Sequence, residues 1–139
     1  MYKEGEITDA LVIALDGRPA SKKNSKQMFR NSRTGKMFTS PSKAFKRFHN
    51  SALEQIVSGN QKPADWDKVG TFDICYTFYR KGRLSQDVDN AMASVNDILQ
   101  DAGIIDDDKN ILSGSFCVLR GCPDWKTEVT ITRLGGEIL

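Results

Sequence analysis

Residues 69–102, VGTFDICYTFYRKGRLSQDVDNAMASVNDILQDA, carry the two clearest periodic patterns of the chain. Apolar side chains alternate along the first part of this stretch, at Phe72, Ile74, Tyr76 and Phe78. This alternation predicts a half-buried strand over residues 69–80. From Val88 onward the apolar spacing changes to three and four residues, which predicts a helix that ends at Gly103. A strand followed by an amphipathic helix indicates a domain in which helices cover a sheet.

Three further strands are predicted from short apolar or alternating runs. They lie at residues 11–15, which read LVIAL, and around residues 111–120 and 127–133. Residues 121–125 form the turn between the last two. The expected fold class is therefore α/β (α+β), a small mixed β-sheet of about four strands with two helices packed on it.

The first of these helices is predicted after a long polar stretch. Residues 18–39 are too polar for a core element, so we expect a long loop, with a hairpin at Thr34-Gly35. Ser40 is the expected N-cap of the helix and Pro41 its first residue, and Gly59 ends it. Its predicted apolar face consists of Phe45, Phe48, Ala52, Leu53, Ile56 and Val57.

Length and composition indicate one globular domain covering residues 1–139. The chain has 139 residues, of which 39% are hydrophobic and 27% charged, and it contains no linker long enough to separate two domains. No apolar run is as long as a membrane span, so no membrane association is expected. The amino-terminal MYKEGEITDA is acidic where a secretory signal is basic and apolar, which predicts a cytoplasmic protein.

The three cysteines, Cys75, Cys117 and Cys122, are too few for a disulfide framework. A lone C-x4-C lacks the second pair or the histidine that a zinc site needs. They are predicted to be reduced, partly buried thiols.

The basic residues are concentrated in one segment. Between Asp16 and Glu54 there is no acidic residue, whereas residues 18–47 hold ten of the 20 lysines and arginines. A solvated loop is the simplest interpretation, but Phe29, Phe38, asparagines and serines accompany the cations and suit phosphate and base contacts. The segment therefore predicts nucleic-acid binding. We expect these residues to contact DNA: Lys22, Lys23, Lys26, Arg30, Arg33, Lys36, Lys43, Lys46 and Arg47.

The acidic residues cluster at the two ends of the second predicted helix. Asp87, Asp89 and Asn90 stand at its start, and three aspartates at 106–108 follow its end. Helix capping explains one of the first two aspartates, and an exposed acidic turn would explain the other three. Adjacent like charges repel, however, and a bound divalent cation would remove that repulsion. Hard cations such as Mg²⁺ prefer carboxylate oxygens, so these residues predict a metal site.

Other site chemistries fit the sequence less well. Neither DVDNA nor DDDKN continues with the glycine and glutamate of a calcium-binding EF-hand loop. No serine or cysteine has a recognisable base partner. The single histidine, His49, is expected to be a phosphate contact or a surface residue. A basic segment together with an acidic cluster points to metal-assisted attack on a phosphodiester.

Residues 87–108, DVDNAMASVNDILQDAGIIDDD, resemble the signature of the RusA-type Holliday junction resolvases, or crossover junction endodeoxyribonucleases. In that family an Asp-x-Asp-Asn opening leads through a helix with a central aspartate to Ala-Gly and a closing aspartate pair. The early GRPASKKNS and the PSKAF that opens the first predicted helix also resemble phage- and prophage-type members.

The resemblance implies a Mg²⁺-dependent homodimeric enzyme, with Mn²⁺ as an alternative metal, that cuts four-way DNA junctions in recombination and repair. Asp87, Asp89 and Asp108 would be the catalytic metal ligands, supported by Asp107 and Asn90. One position departs from the family: a lysine often stands three residues after the asparagine, and here that residue is Ala93. Lys109 or Arg83 is a candidate replacement, because a cation near the scissile phosphate stabilises developing negative charge.

Two alternatives remain open at this point. The protein could be a DNA-binding module that keeps the fold and the acidic cluster but has lost turnover with the lysine. It could also be an acidic, calcium-stabilised interaction domain.

Overall fold

The computed structural model describes residues 10–20, 26–30, 33–34, 37–41 and 43–135. Within these residues, six strands and two α-helices follow one another, and a 3₁₀ turn at Asp108–Asn110 precedes the fifth strand. The elements are β1 (Ala10–Asp16), β2 (Lys26–Arg30), β3 (Met37–Pro41), α1 (Lys43–Ser58), β4 (Phe72–Lys81), α2 (Val88–Asp101), β5 (Ile111–Cys122) and β6 (Lys126–Arg133).

Four of the strands form a mixed sheet in the order β1-β6-β4-β5. The β1–β6 and β6–β4 pairs are antiparallel, and β4–β5 is parallel. A parallel pair needs a long crossover connection, and α2 provides it. The predicted fold class, a mixed sheet of about four strands with two helices, is confirmed. The turn after β5 does not form a hairpin, because β6 lies between β1 and β4.

Both helices cover the same face of the sheet. The predicted alternation in β4 is confirmed, since Phe72, Ile74, Tyr76 and Phe78 are all buried. The helices contribute to this core the side chains of Phe48, Ala52, Ile56, Ala91, Val95, Ile98 and Leu99. Each large apolar side chain buried in this way stabilises the fold by about 1.5–3 kcal/mol.

The predicted start of the first helix was wrong. Ser40 and Pro41 belong to β3, where they pair with Gln27 and Lys26 of β2, and α1 begins at Lys43. Hairpin pairing thus overrides the local helix-start signal, and proline is tolerated because it stands at a strand end. Val57, predicted on the apolar face of this helix, is 77% exposed.

The predicted loop over residues 18–39 was also wrong, since β2 and β3 form a separate two-stranded sheet. The hairpin expected within it is confirmed, with a turn at Arg33 and Thr34. Phe29 and Phe38 occupy directly paired positions of the two strands. Two aromatic residues at matched positions were the sequence signal for this hairpin.

The two edges of the main sheet differ. At the β1 edge, the Gln61 side chain accepts a hydrogen bond from Ala14 N (2.7 Å) and donates one to Ala14 O (2.9 Å). The Gln55 side chain does the same for Asp16, at 2.7 and 3.1 Å. Each amide therefore replaces one residue of an absent neighbouring strand and satisfies the backbone there.

We predict that Gln61→Ala lowers the free energy of unfolding by about 1–2 kcal/mol, because the backbone of half-buried Ala14 loses both partners. Gln61→Glu should also destabilise, since a carboxylate can accept from the amide but cannot donate to the carbonyl. Urea denaturation measures both effects. The matched control is Gln100→Ala, which removes only a 3.4 Å bond to Asn96 O. Equal losses in Gln61→Ala and the control would contradict the role of Gln61.

Candidate nucleic-acid and metal site

A cleft of about 570 Å³ lies where the end of β1, the start of α1 and the start of α2 meet. Arg18 and Arg47 of the basic segment line it together with Asp87 and Asn90 of the acidic segment. Asp16 also lines the cleft. Two regions that are 40 residues or more apart in sequence therefore share one concave surface, where cations can hold a phosphate beside carboxylates.

The start of the basic segment is fixed against α2 and the loop before it. Arg18 donates a hydrogen bond to Ser85 O (3.2 Å), and its guanidinium carbon lies 4.7 Å from the centre of the Trp125 ring. The Ser94 hydroxyl donates to Ala20 O (2.9 Å). These contacts place the point where the basic segment begins beside the amino-terminal half of α2.

Asp87 is the N-cap of α2. Its Oδ1 accepts a hydrogen bond from Asp89 N (3.1 Å), and its Oδ2 accepts one from the Asn90 side-chain amide (3.2 Å). The capping role considered for this position is therefore real. Both oxygens keep further lone pairs on an exposed side chain, so a cap can also bind a cation. Asn90 is 9% exposed, and its amide orients the Asp87 carboxylate.

Asp89, Ala93 and Asn96 follow one another on one face of α2, because residues three and four apart are neighbours on a helix. The Tyr76 hydroxyl of β4 donates a 2.6 Å hydrogen bond to Asn96 Oδ1. Burial raises the pKa of Tyr76 to about 12; the bond to Asn96 opposes this shift and the negative charge of Asp108 adds to it. Asp108 therefore lies within electrostatic reach of the Tyr76 hydroxyl, beside the Asp89 face of α2.

Asp107 caps the 3₁₀ turn that carries Asp108. Its Oδ1 accepts a hydrogen bond from Lys109 N (3.0 Å). That bond is the main reason why the pKa of Asp107 lies below its usual value, and the Lys109 charge acts in the same direction. Asp107 is therefore ionised at neutral pH.

The predicted metal ligands form two groups rather than one closed cage. In the part of the chain that the structure describes, no three His, Cys, Asp or Glu side chains are arranged to hold a metal ion. Asp89 and Asn96 are seven residues apart, or about 10 Å along the axis of α2, and Asp108 lies near the Asn96 end. The donor set fits Mg²⁺ in a limited sense, because Mg²⁺ commonly uses one or two carboxylates and takes its other ligands from water and substrate phosphates.

The predicted DNA contacts fall into three classes. Lys43, Lys46 and Arg47 are exposed on α1, and Arg33 is exposed at the hairpin turn. Lys26 and Arg30 lie on β2, of which the structure describes the backbone. The remaining predicted contacts lie outside the described residues: Lys22, Lys23 and Lys36.

The expectation that His49 is a phosphate contact or a surface residue was wrong. Its side chain is only 13% exposed, and Nε2 lies 2.6 Å from Asp101 Oδ2, which ties α1 to α2. The expectation of partly buried thiols holds for Cys75 and Cys122 but was wrong for Cys117, which is exposed on the edge strand β5.

Three residues of this region were not identified as site residues from the sequence alone. Asp16 lines the cleft, and Tyr76 and Asn96 connect the sheet to α2. Asp16 follows the first predicted strand, so the sequence suggested a turn residue there. Tyr76 lies on the apolar face of another predicted strand, so the sequence suggested a core residue. Asn96 carried a weak signal, as a polar residue beside the apolar face of an amphipathic helix.

We predict that the pKa of Tyr76 falls when Asp108→Asn removes the nearby negative charge. The absorbance titration of the variant is compared with that of the wild type, each after subtraction of its Tyr76→Phe counterpart. In the wild type, ionisation of Tyr76 should centre near pH 12. Because the folded protein holds this proton more tightly than the unfolded chain, stability should fall as the pH rises above 10.

The matched control is Asp106→Asn, since Asp106 faces Lys68 at 3.7 Å and not the tyrosine. A Tyr76 pKa that is unchanged in Asp108→Asn would mean that Asp108 does not lie beside this face of α2.

Comparison with known proteins does not assign the chain to a family. No protein-family model matches it, and no curated protein matches it either. Among the described residues, no helix is long and apolar enough to cross a membrane.

Proposed function

We propose that the protein is a Mg²⁺-dependent endonuclease that binds and resolves four-way DNA junctions. The observation that carries the proposal is the shared cleft, which Arg18 and Arg47 line together with Asp87. Phosphodiester cleavage needs a cationic surface to hold the backbone and carboxylates to hold a metal at the same point.

In this proposal, different residues bind the DNA and the metal. Arg47, with Lys43 and Lys46 beside it on the exposed side of α1, binds the phosphates of the duplex arms. Asp87 and Asp89, at the start of α2, would hold Mg²⁺ or Mn²⁺ together with Asp108, supported by Asp107. When bound, the metal supplies activation of water and stabilisation of the leaving oxygen. Since the described carboxylates do not form a closed set, a DNA phosphate and water would have to supply the remaining ligands of a bound metal.

The junction as substrate rests on the resemblance of residues 87–108 to the resolvase signature. A four-way junction has two symmetry-related strands, and a two-fold symmetric dimer meets them with two identical sites. We therefore propose a cytoplasmic homodimer that makes paired cuts during recombination and repair.

Ala93 affects the expected rate of DNA cleavage, because it stands where the family often has a lysine. It is exposed on the same face of α2 as Asp89, where the family lysine would reach a phosphate beside the metal. Lys109 is exposed next to Asp108, and Arg83 is exposed in the loop before α2. Either residue is a candidate to replace the missing cation.

A second function is favoured by one observation. Oδ1 of Asp87 caps α2 and Oδ2 accepts a hydrogen bond from the Asn90 side chain, and the described residues contain no set of three metal ligands. A structure-selective DNA-binding protein of the same fold, with little or no turnover, would keep the cleft and the cap for stability alone. The Mg²⁺ dependence of strand cutting separates the two functions.

We predict that Asp89→Asn and Asp108→Asn each lower Mg²⁺-dependent cutting of a labelled synthetic junction by at least about 10²-fold, the scale for loss of one charge-stabilising group. Binding of the uncut junction, measured without metal, should persist or strengthen, because a negative charge near phosphate is removed. The measurement compares the rate of junction cutting with the affinity for the uncut junction in each variant.

The control for these two variants is Asp65→Asn, an exposed aspartate in the loop before β4. Cutting by Asp89→Asn at the rate of this control would remove Asp89 from the site. Absence of Mg²⁺-dependent cutting in the wild type, with junction binding intact, would establish the binding protein instead.

We predict that Arg47→Gln weakens junction binding and reduces its dependence on salt. One fewer neutralised phosphate should lower the slope of log K against log salt by about 0.9 on duplex arms. Thermal stability should stay nearly unchanged, since an exposed cation contributes little to folding.

Lys68→Gln is the control, because Lys68 is exposed on the loop before β4, outside the basic segment. The same decrease of slope in both variants would show that net charge, and not the cleft, determines DNA affinity.

A further inference from the structure

Two segments at one end of the main sheet bring together cations that lie far apart in the sequence. One is the turn after β4, residues 81–84, and the other is the end of β5, residues 119–122. Hydrogen bonds from Gly82 N to Cys122 O (3.1 Å) and from Gly121 N to Gly82 O (2.9 Å) join their backbones. These two segments together are called the tip surface below.

The tip surface carries three cations and no acidic residue: Lys81, Arg83 and Arg120. All three are exposed, and none of them belongs to an ion pair with a described acidic residue. Outside the basic segment the chain has ten cations against 18 acidic residues, so a local excess of positive charge is unexpected there. This excess favours a polyanion as the partner.

The tip surface is also open, and it presents an apolar side chain. Leu84 is 50% exposed, and its backbone N–H donates to Lys81 O (3.2 Å), so a closed turn holds it in place. Gly82 and Gly121 have positive φ values, 54° and 75°, and a Cβ atom on either would meet no described atom within 4 Å. A large partner can therefore approach both backbones closely. DNA-binding proteins insert exposed leucines of this kind between base pairs.

The tip surface leads directly into the cleft. Arg18 of the basic segment donates a hydrogen bond to Ser85 O (3.2 Å), and Ser85 follows Leu84 in the chain. Asp87, two residues further on, lines the cleft together with Arg18 and Arg47. The two cationic surfaces therefore meet at the loop that carries Asp87, as two arms of one branched substrate require.

We propose that the tip surface binds a second arm of branched DNA and that Leu84 inserts at the branch point and unstacks a base pair there. Lys81, Arg83 and Arg120 contact the phosphates of this arm, while the basic segment holds the first arm. The inference rests on the proposed function, because it takes a DNA junction as the substrate. Unstacking costs free energy, and the additional phosphate contacts offset that cost.

Base unstacking is measured with 2-aminopurine, a fluorescent adenine analogue whose emission rises when it leaves the base stack. Without Mg²⁺, the wild type should raise the emission of a junction labelled at the branch and not that of a junction labelled in the middle of an arm. Leu84→Ser should abolish the rise and lower the preference for the junction over duplex DNA by about tenfold. The matched control is Val69→Ser, at a residue 61% exposed before the other end of β4, and it should behave as the wild type does.

The salt dependence of binding tests the cations. Arg83→Gln should lower the slope of log K against log salt by about 0.9 on the junction, the value for one phosphate contact. In combination with Arg47→Gln the decrease should be about 1.8, because the two residues contact different arms. Lys68→Gln, outside both surfaces, is the control and should leave the slope unchanged.

Thermal melting shows whether each variant is folded, and the emission of the wild-type complex needs no variant. The inference is overturned by a bound junction whose branch label does not brighten, or by folded Leu84→Ser and Arg83→Gln variants that bind the junction as the wild type does. Because these measurements use no metal, a protein that opens junctions but never cuts them contradicts only the nuclease proposal. Mg²⁺-dependent cutting without any opening of the branch removes the tip surface and leaves the nuclease proposal standing.

Discussion

β4 and β5 are parallel neighbours, and a parallel pair cannot be closed by a tight turn. The chain must return across the sheet between them, and α2 makes that return. Its apolar face, formed by Ala91, Val95, Ile98 and Leu99, covers β4 and fixes the helix on the sheet. Once α2 is fixed, the acidic residues at its start and after its end have defined places. The position of every proposed metal ligand depends on this crossover.

The same constraint leaves β5 at the edge of the sheet. Because β6 inserts between β1 and β4, β5 and β6 are not paired although only a short turn separates them in sequence, and β5 has β4 as its only strand neighbour among the described residues. The acidic 3₁₀ turn leads directly into this edge.

The elements that the sequence predicted well are those with a strong and local pattern. The alternation from Phe72 to Phe78 and the three-four spacing after Val88 each specify one buried face, and burial of that face determines the structure. Ser40-Pro41 shows the limit of local signals, because a strand partner about 15 residues earlier overrides a good helix start. Strand order could not be predicted, since it depends on pairing between distant segments.

The candidate site was predictable in its residue types but not in its geometry. Asp87 was recognised both as a ligand and as a cap, and its hydrogen bonds establish the cap. That Arg18 and Arg47 line the same cleft as Asp87 follows from the packing of β1, α1 and α2, which no spacing in the sequence encodes. His49 was misjudged for the same reason, because its partner Asp101 lies on another helix.

The central claim is that the acidic segment binds a divalent metal next to DNA phosphate. Fe²⁺ substituted for Mg²⁺, with ascorbate and peroxide, cuts a polypeptide beside the bound iron, and mass spectrometry locates the cuts. With a four-way junction present, we expect cuts within residues 87–90 and 106–109, suppressed by excess Mg²⁺ and weaker without DNA. Cuts at other places, or cuts at these segments that Mg²⁺ does not suppress, would contradict the claim.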